Sequence, residues 1–195
     1  MRRDLISSVI AIVVLTLLLG LAYPLVVTGI SQVAFPGNSN GQKVSVGGHL
    51  VGSKLIGQDF RGNPRYFQSR PSTLTKYNAA ASAFTNLGPN SRDARDTFRA
   101  SLDSYLRLER PYNPGLTAKQ VPVDAVTSSA SGVDPQISKA NAEIQAHRIA
   151  SVRNLPLATV RKLIDNNTDG RFAGLLGEPG VNVLELNLAL DTQAK

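Results

Sequence analysis

The stretch that decides the fold is residues 5–30, LISSVIAIVVLTLLLGLAYPLVVTGI, which contains no charged residue. With a rise of about 1.5 Å per residue, a helix of this length would extend about 39 Å, whereas the hydrocarbon core of a bilayer is about 30 Å thick. A backbone inside lipid has to satisfy its own hydrogen bonds, and a helix does so. Residues 5–30 are therefore predicted to form one transmembrane helix.

The basic residues beside this helix predict its orientation. Arg2 and Arg3 precede it directly, whereas the first basic residue after it is Lys43. Because segments rich in Lys and Arg stay on the cytoplasmic side, we expect a short cytoplasmic N-terminus at residues 1–4. The bulk of the chain would then lie outside the cytoplasm.

A cleaved secretory signal is the alternative interpretation of the same segment. Arg2 and Arg3 would be its basic region, and Gly20-Leu21-Ala22 would serve as a small-x-small cleavage site. The apolar run continues to Ile30, however, which is longer than the 7–15 apolar residues that a signal needs. We therefore favour a retained single-pass anchor. Thr16 and Gly20 form a small-xxx-small pair on it, which would let a helix of another subunit or of a second copy approach closely.

Length and composition limit what the rest of the chain can be. The 195 residues have a mass of 20.8 kDa, which suits one compact domain with a small appendage. The chain has no cysteine, so disulfides, thiolate metal sites and a cysteine nucleophile are excluded. Its formal net charge is +7, but the basic residues form no run interleaved with aromatic residues, so no nucleic acid is expected as a partner.

The segment that follows the apolar stretch has two parts. Residues 31–42 are expected to be a linker, since they contain PGNSNGQ. Residues 43–195 are expected to form one extracytoplasmic α+β domain. Short strands broken by glycine are predicted within 46–60, and the strict alternation of leucine over 184–190 predicts a half-buried C-terminal strand that pairs with them.

Three helices are predicted between these strands. The first begins after the capping residue Ser91 and ends before Pro111, and its alternating charges predict a solvated face. The second covers 139–153 with Ser138 as its cap, and the third begins near Leu157 and ends near residues 166–167.

The sequence contains no motif that identifies an enzyme. It has no phosphate-binding Gly-x-x-x-x-Gly-Lys-Ser/Thr loop and no Gly-x-Ser-x-Gly elbow. A serine hydrolase site in a free envelope protein, anchored or secreted, stays open as an alternative, because several suitable side chains occur in one half of the chain: Asp124, Ser128, Ser129, Ser131 and His147. Hydroxyl groups in such glycine-rich stretches more often cap turns.

Several stretches together resemble a known family in their order and spacing. They are Tyr23-Pro24 late in the apolar helix, GSKLIGQDF (52–60), YFQSRPS (66–72), YNAAAS (77–82), NLGP (86–89), VPVDAVTSSASGVDPQIS (121–138), the Gln145–Arg148 part of the second helix, and GEPGVNVLELNLALD (177–191). On these stretches the chain resembles the C subunit of the Kdp-type potassium-transporting P-type ATPase of bacteria.

The resemblance implies a place in a four-part complex of the bacterial inner membrane. The implied partners are a channel-like potassium-binding subunit, the P-type ATPase subunit and a small single-helix subunit, with membrane lipid around the anchor. ATP, Mg²⁺ and K⁺ would be bound by those subunits, and no cofactor is expected on this chain. The chain itself lacks the Asp-Lys-Thr-Gly-Thr phosphorylation motif, so we expect a non-catalytic accessory subunit.

The same resemblance implies a role in assembly and as a catalytic chaperone that raises the ATP affinity of the pump subunit. With only about four residues in the cytoplasm, this chain has little to offer a cytoplasmic nucleotide. We therefore expect any effect on ATP affinity to be indirect, through the arrangement of the membrane subunits.

Eight residues are predicted to contact partner subunits. Arg70 precedes a proline, which favours an extended conformation suited either to reaching a partner carboxylate or to binding loop carbonyls. Gln145 and Arg148 lie near one face of the second helix, either touching a partner or forming its solvent side. The full set of predicted contacts is Thr16, Gly20, Gly57, Gln58, Tyr66, Arg70, Gln145 and Arg148.

Overall fold

The computed structural model describes residues 1–72, 81–82, 86–88 and 90–193. Residues 77–80 of the YNAAAS stretch and Pro89 of the NLGP stretch lie outside this described part. The chain divides into two compact units, Met1–Val51 and Gly52–Lys195.

The first unit is dominated by an apolar helix that extends over Arg2–Ala34. It consists of α1 (Arg2–Leu17), a π-helical turn (Leu18–Ala22) and α2 (Tyr23–Ala34). Pro24 has no amide hydrogen and its ring crowds the carbonyl four residues earlier, so the wider π-turn directly before it relieves both problems. Within the described residues this is the one helix long and apolar enough to cross a membrane.

Residues 31–42, predicted to be a linker, are ordered. A single helical turn, α3 (Pro36–Ser39), follows the long helix. The side-chain amide of Asn40 donates to Gln32 Oε1 at 3.1 Å and to the carbonyl of Pro36 at 2.7 Å. The chain then forms a hairpin of β1 (Lys43–Val46) and β2 (His49–Ser53). Gly47 and Gly48 both have positive φ, as a two-residue type I′ turn requires.

The second unit contains the three helices that the sequence predicts. α4 (Arg92–Glu109) begins where Ser91 Oγ accepts the amide hydrogen of Ala94. α5 (Lys139–Arg153) begins at the cap Ser138 and ends at Asn154, whose positive φ closes the helix. α6 (Leu157–Asn166) follows Pro156. The predictions for all three helices are confirmed.

A small antiparallel sheet lies beside these helices, and its strands are arranged in the spatial order β3-β5-β4. Its strands are β3 (Gln136–Ser138), β4 (Thr168–Asp169) and β5 (Gly180–Asn182). Val181 at the centre of β5 is paired with Ile137 on one side and with Thr168 on the other. The domain is therefore mixed helix and sheet, as predicted, although the sheet is assembled from segments that the sequence did not indicate.

The prediction of a C-terminal strand over 184–190 is wrong, and so is its pairing with the early strands. The segment is a helix, α7 (Val183–Gln193), which begins where Asn182 Oδ1 accepts the amide hydrogen of Glu185. Its buried residues Val183, Leu186 and Leu190 are spaced by three and four, so the leucine-rich pattern satisfies the helical period as well as the alternating one. Leucine, alanine and glutamate favour helix, and β-branched residues are absent over 184–191.

The core of this unit is formed by one apolar cluster. Ile149 of α5, Val160 of α6 and Leu186 of α7 are fully buried in it. A residue from an irregular segment, Phe67, is buried in the same cluster. The cluster as a whole comprises Phe67, Ile137, Ala142, Ala146, Ile149, Val160, Leu163, Ile164, Val181, Val183, Leu186 and Leu190.

Candidate functional site

Residues 64–68, PRYFQ, form neither helix nor strand, yet their backbone groups are bonded in succession by side chains of α5 and α7. The Arg148 guanidinium donates to the carbonyl of Pro64 and, at 3.0 Å, to that of Tyr66. Arg153 Nε donates to the carbonyl of Arg65 at 2.7 Å. Three consecutive carbonyls of this 64–68 segment are therefore held by two arginines of α5.

The next two residues of the 64–68 segment are bound by side-chain amides. Asn187 of α7 accepts the amide hydrogen of Phe67 at 2.8 Å and donates to its carbonyl at 3.0 Å. Gln145 of α5 does the same for Gln68, at 2.7 Å and 3.2 Å. These two side chains take the place of a neighbouring strand, and each such hydrogen bond typically contributes about 0.5–1.5 kcal/mol to stability.

A fully buried ion pair supports Arg148. Arg148 Nε lies 2.9 Å from Glu109 Oε1, and both side chains are 0% exposed. Arg148 Nη2 also donates to Gln145 Oε1 at 3.0 Å, so the guanidinium joins α4, α5 and the 64–68 segment. Burial raises the pKa of Glu109, although the charge of Arg148 offsets part of this effect. Glu109 Oε2 has no hydrogen-bond partner among the described residues.

The polar side of α5 continues from this ion pair toward its N-terminus. Asn141 Oδ1 accepts hydrogen bonds from Tyr105 at 2.9 Å and from Gln145 at 3.0 Å. The amide nitrogen of the Asn141 side chain donates to Asp124, which also accepts the hydroxyl hydrogen of Ser138. Burial raises the pKa of Tyr105, and its protonated hydroxyl donates to the amide oxygen of Asn141. Asn141, Gln145 and Arg148 thus form a buried polar stripe along one side of α5.

This stripe corrects one interpretation of the sequence. Gln145 and Arg148 do not form the solvent side of the second helix, since they are 1% and 0% exposed. Both were also predicted to contact partners, and in this structure their side chains bind groups of their own chain.

Tyr66 and Arg70 extend the same site toward the surface. The Tyr66 hydroxyl donates to Asp191 at 2.9 Å, which raises the pKa of the tyrosine, and Arg153 lies over its ring at 4.9 Å from the centroid. Arg70 donates to the carbonyl of Ser128 at 3.1 Å and lies 3.2 Å from the carboxylate of Asp134. Of the two interpretations of Arg70, the structure shows the one in which it binds a loop carbonyl, together with a carboxylate of its own chain.

The remaining predicted contacts lie in two places. Gly57 is buried and donates its amide hydrogen to the carbonyl of Val133 at 2.8 Å, and the carbonyl of Gln58 accepts from Ser69 at 2.9 Å. Six of the eight residues are therefore brought into the second unit around residues 57–70. Thr16 and Gly20 lie on the apolar helix of the first unit, where, apart from the local helix backbone and the adjacent residues, a Cβ at Gly20 would meet no atom closer than Thr16 Cγ2 at 3.9 Å.

Three of the side chains considered for a hydrolase, those of Asp124, Ser129 and Ser131, bond to groups that do not form a catalytic set. The carboxylate of Asp124 is bonded to Ser138 and Asn141. Ser129 Oγ accepts the amide hydrogen of Gly132 at 2.9 Å, as in a turn cap. Among the described residues, no group of three or more histidine, aspartate or glutamate side chains is arranged to hold a metal ion.

Two charged residues of the site, Glu109 and Arg153, were not singled out by sequence reasoning, whereas Asn187 was expected to bond loops or neighbouring backbone and does so. Asn187 gave a signal, because a lone asparagine in a leucine-rich stretch has to find a buried partner. Glu109 and Arg153 gave none, since charged residues near helix ends usually meet solvent.

Comparison with known proteins gives the chain a family. The family model described as "K+-transporting ATPase, c chain" matches residues 5–192. The potassium-transporting ATPase KdpC subunit of Koribacter versatilis is 46% identical over 192 residues, covering 98% of this chain and 95% of that protein. The KdpC subunits of Polaromonas naphthalenivorans and Methylococcus capsulatus are 48% and 47% identical, and the matches cover 98% and 94% of this chain and 95% of each relative. Because the family model covers almost all of the sequence, the chain belongs to the KdpC family, the c chain of K⁺-transporting ATPases.

Proposed function

We propose that this chain is a non-catalytic accessory subunit of an ATP-driven potassium uptake complex, needed for the assembly and stability of that complex. The observation that carries the proposal is the family match over residues 5–192, since it includes both the apolar helix and the mixed domain. The partners are a channel-like potassium-binding subunit, a P-type ATPase subunit and a small single-helix subunit. ATP, Mg²⁺ and K⁺ bind to those partners rather than to this chain.

Growth and co-purification test this proposal together. Cells that rely on this complex and lack the coding sequence of the chain are expected not to grow at micromolar potassium, and the tagged full chain is expected to co-purify in detergent with the two large membrane subunits. A chain that purifies alone from cells expressing those subunits would contradict the proposal and favour a free envelope protein.

The proposed topology has residues 1–4 in the cytoplasm, a membrane span at 5–30, a connection at 31–42 and an extracytoplasmic domain at 43–195. The chain then lies in the bacterial inner membrane with its bulk outside the cytoplasm. Its lack of cysteine makes a direct test simple. A membrane-impermeant maleimide is expected to label Ala130→Cys in sealed spheroplasts and to label Arg3→Cys only after lysis. The opposite pattern would refute the topology.

The effect on nucleotide affinity is proposed to be indirect. A subunit with so short a cytoplasmic segment can raise the ATP affinity of the pump subunit only by binding more tightly to the membrane subunits in their ATP-binding arrangement. The complex without this chain is expected to hydrolyse ATP with a higher KM for ATP, and the full chain alone in detergent is expected to bind no ATP. Saturable ATP binding to the isolated chain would refute this mechanism.

The 64–68 segment and its neighbours are proposed to contact the partner subunits. Because side chains of α5 and α7 hold its backbone, this surface is already ordered before a partner arrives, which lowers the entropic cost of binding. Tyr66, Arg70 and Gln58 are the proposed contacts, Gly57 supports them from its buried position, and Gln145 and Arg148 keep the segment in place.

The apolar helix is proposed to contact a neighbouring membrane helix through Thr16 and Gly20. A leucine at position 20 has room within this chain, because the nearest atom to a Cβ there is 3.9 Å away. Gly20→Leu is therefore expected to reduce co-purification without disturbing the fold, and Gly29→Leu, where a Cβ meets nothing within 4 Å, is the matched control. Equal capture of both variants would remove Gly20 from the interface.

A further inference from the structure

The connection between β4 and β5 exposes three large apolar side chains within five residues. Phe172, Leu175 and Leu176 are 77%, 79% and 65% exposed, and we refer to them as the apolar tip. Burying an aliphatic or aromatic side chain of this size typically stabilises a protein by about 1.5–3 kcal/mol. Within these five residues the chain leaves three such side chains exposed and so lacks that stabilisation for each of them. Large apolar side chains clustered in this way mark an interaction surface.

The apolar tip is held in one shape by its own backbone. The amide of Phe172 donates to the carbonyl of Leu176 at 2.8 Å, and the reverse bond is 3.0 Å long. Ala173 and Gly174 both have positive φ, with values of 52° and 75°. A residue other than glycine, such as Ala173, has a strained backbone at such a φ angle. Backbone strain of this kind is characteristic of functional segments. The tip is therefore presented in a fixed shape, and fixing it on binding costs little entropy.

The charges at the base of the apolar tip cancel each other. The Nη2 atom of Arg171 donates to both carboxylate oxygens of Glu178, at 2.9 Å and 3.0 Å. Segments that bind a membrane surface usually combine apolar side chains with unpaired lysine or arginine, which anionic lipids attract. The centre of a protein interface, by contrast, is depleted of charge and enriched in large apolar residues. The tip matches the protein interface and not the lipid surface.

We propose that the apolar tip docks into an uncharged, apolar cleft on another protein subunit of the same complex. The proposal rests on the proposed function, because that function supplies the partner. It adds a contact that no sequence motif indicated, placed on a part of the second unit separate from the 64–68 segment. Phe172, Leu175 and Leu176 are the residues that enter the cleft.

The test compares two sets of exposed apolar residues in the full chain, co-expressed with the other Kdp subunits. One variant carries Phe172→Ser, Leu175→Ser and Leu176→Ser. The matched control carries Val123→Ser and Leu55→Ser, which replace exposed apolar residues elsewhere in the second unit. The tip variant is expected to capture about tenfold less of the partner subunits, because a few buried apolar residues dominate most interfaces. The control is expected to capture them like the wild type, and both variants to unfold at the wild-type temperature.

Two further measurements identify what the apolar tip touches. A benzophenone-bearing amino acid in place of Leu175 is expected to crosslink to one Kdp subunit on illumination of native membranes. Raising the salt concentration is expected to leave the wild-type capture unchanged, since no free charge is involved. Crosslinks to lipid alone, or equal capture of the tip variant and the wild type, would overturn the proposal. Failure of the wild-type chain to capture any subunit would instead overturn the proposed function itself, and this inference with it.

Discussion

Two segments of the second unit that are neither helix nor strand obtain hydrogen bonds for their backbone groups in opposite ways. The 64–68 segment receives its hydrogen bonds from buried side chains of two helices and turns Phe67 into the core. The apolar tip bonds to its own backbone and turns its apolar side chains outward. The first segment depends on the domain for its shape, whereas the second would keep its shape with little help from it. Changes around the first are therefore expected to cost stability, and changes in the second to cost partner binding.

The largest expected effect comes from breaking the buried ion pair. Arg148→Met leaves Glu109 buried without a partner and removes the donor to two carbonyls, so the free energy of unfolding is expected to fall by about 3–5 kcal/mol. Denaturation of the full chain in detergent, followed by near-ultraviolet circular dichroism, measures it. Arg171→Ala, at the base of the apolar tip, is the matched control, because its exposed pair with Glu178 contributes about 0–1 kcal/mol.

The double variant Arg148→Met with Glu109→Leu sharpens this result. It removes both buried charges, so its loss of stability is expected to be smaller than that of Arg148→Met alone. A double variant as unstable as the single one would mean that the lost carbonyl contacts, and not the unpaired carboxylate, cause the instability.

A smaller effect is expected where α7 binds the 64–68 segment. Asn187→Leu leaves the amide and carbonyl of Phe67 buried without partners, at a cost of about 1–3 kcal/mol. Gln193→Leu, on the exposed end of the same helix, is expected to change the stability by less than about 0.5 kcal/mol. If both substitutions cost the same, the side-chain hydrogen bonds of Asn187 do not hold the segment.

Gly174→Ala, in the turn of the apolar tip, is expected to lower the free energy of unfolding by about 1 kcal/mol. Gly174 has a positive φ of 75°, and an alanine there would be strained by about 1–2 kcal/mol, partly offset by a stiffer unfolded chain. Gly170→Ala, in the same connection but without a positive φ, is the control. Equal midpoints of denaturation for the two variants would show that the tip is not fixed in this turn.

The most subtle expected effect is a dependence on pH. The pKa of Glu109 is raised in the folded chain, so between its ordinary value near 4.5 and that raised value the folded state binds the extra proton. Stability from this group is therefore present at low pH and lost as the pH rises through the window. The stability of the wild type relative to Glu109→Gln is expected to fall as the pH increases from 4 to 7. A difference that grows with pH would mean that Arg148 lowers the pKa more than burial raises it.

Local signals predicted most of the helices but not the way they are joined. Ser91, Ser138 and Asn154 mark helix ends through their own backbone chemistry, so the bounds of α4 and α5 could be predicted from adjacent residues. The leucines of 184–190 fit two periods equally well, and the pattern alone could not choose between them. The absence of β-branched residues was the signal that favoured helix.

The candidate site was harder to predict because its partners are distant in sequence. Gln145 and Arg148 are polar residues on a helix, and such residues usually face water. Their burial depends on the backbone of residues 64–68 arriving beside α5, which no local pattern reveals. Tyr66 and Arg70 were singled out because they lie in a stretch that resembles a family and because Arg70 precedes a proline, and their bonds to Asp191 and Asp134 could only be seen in the structure.

The reliance of Phe67 on Asn187 has a consequence for biosynthesis. The two residues are 120 positions apart, so a ribosome that adds about 5–20 residues per second needs about 6–24 seconds to supply the second after the first. During that interval α5 can already bind the neighbours of Phe67, but the amide and carbonyl of Phe67 itself have no side chain to bond to. Completion of the last helix is thus the event that closes the domain. A chain that terminates before α7 would leave the ribosome with its apolar core exposed to solvent.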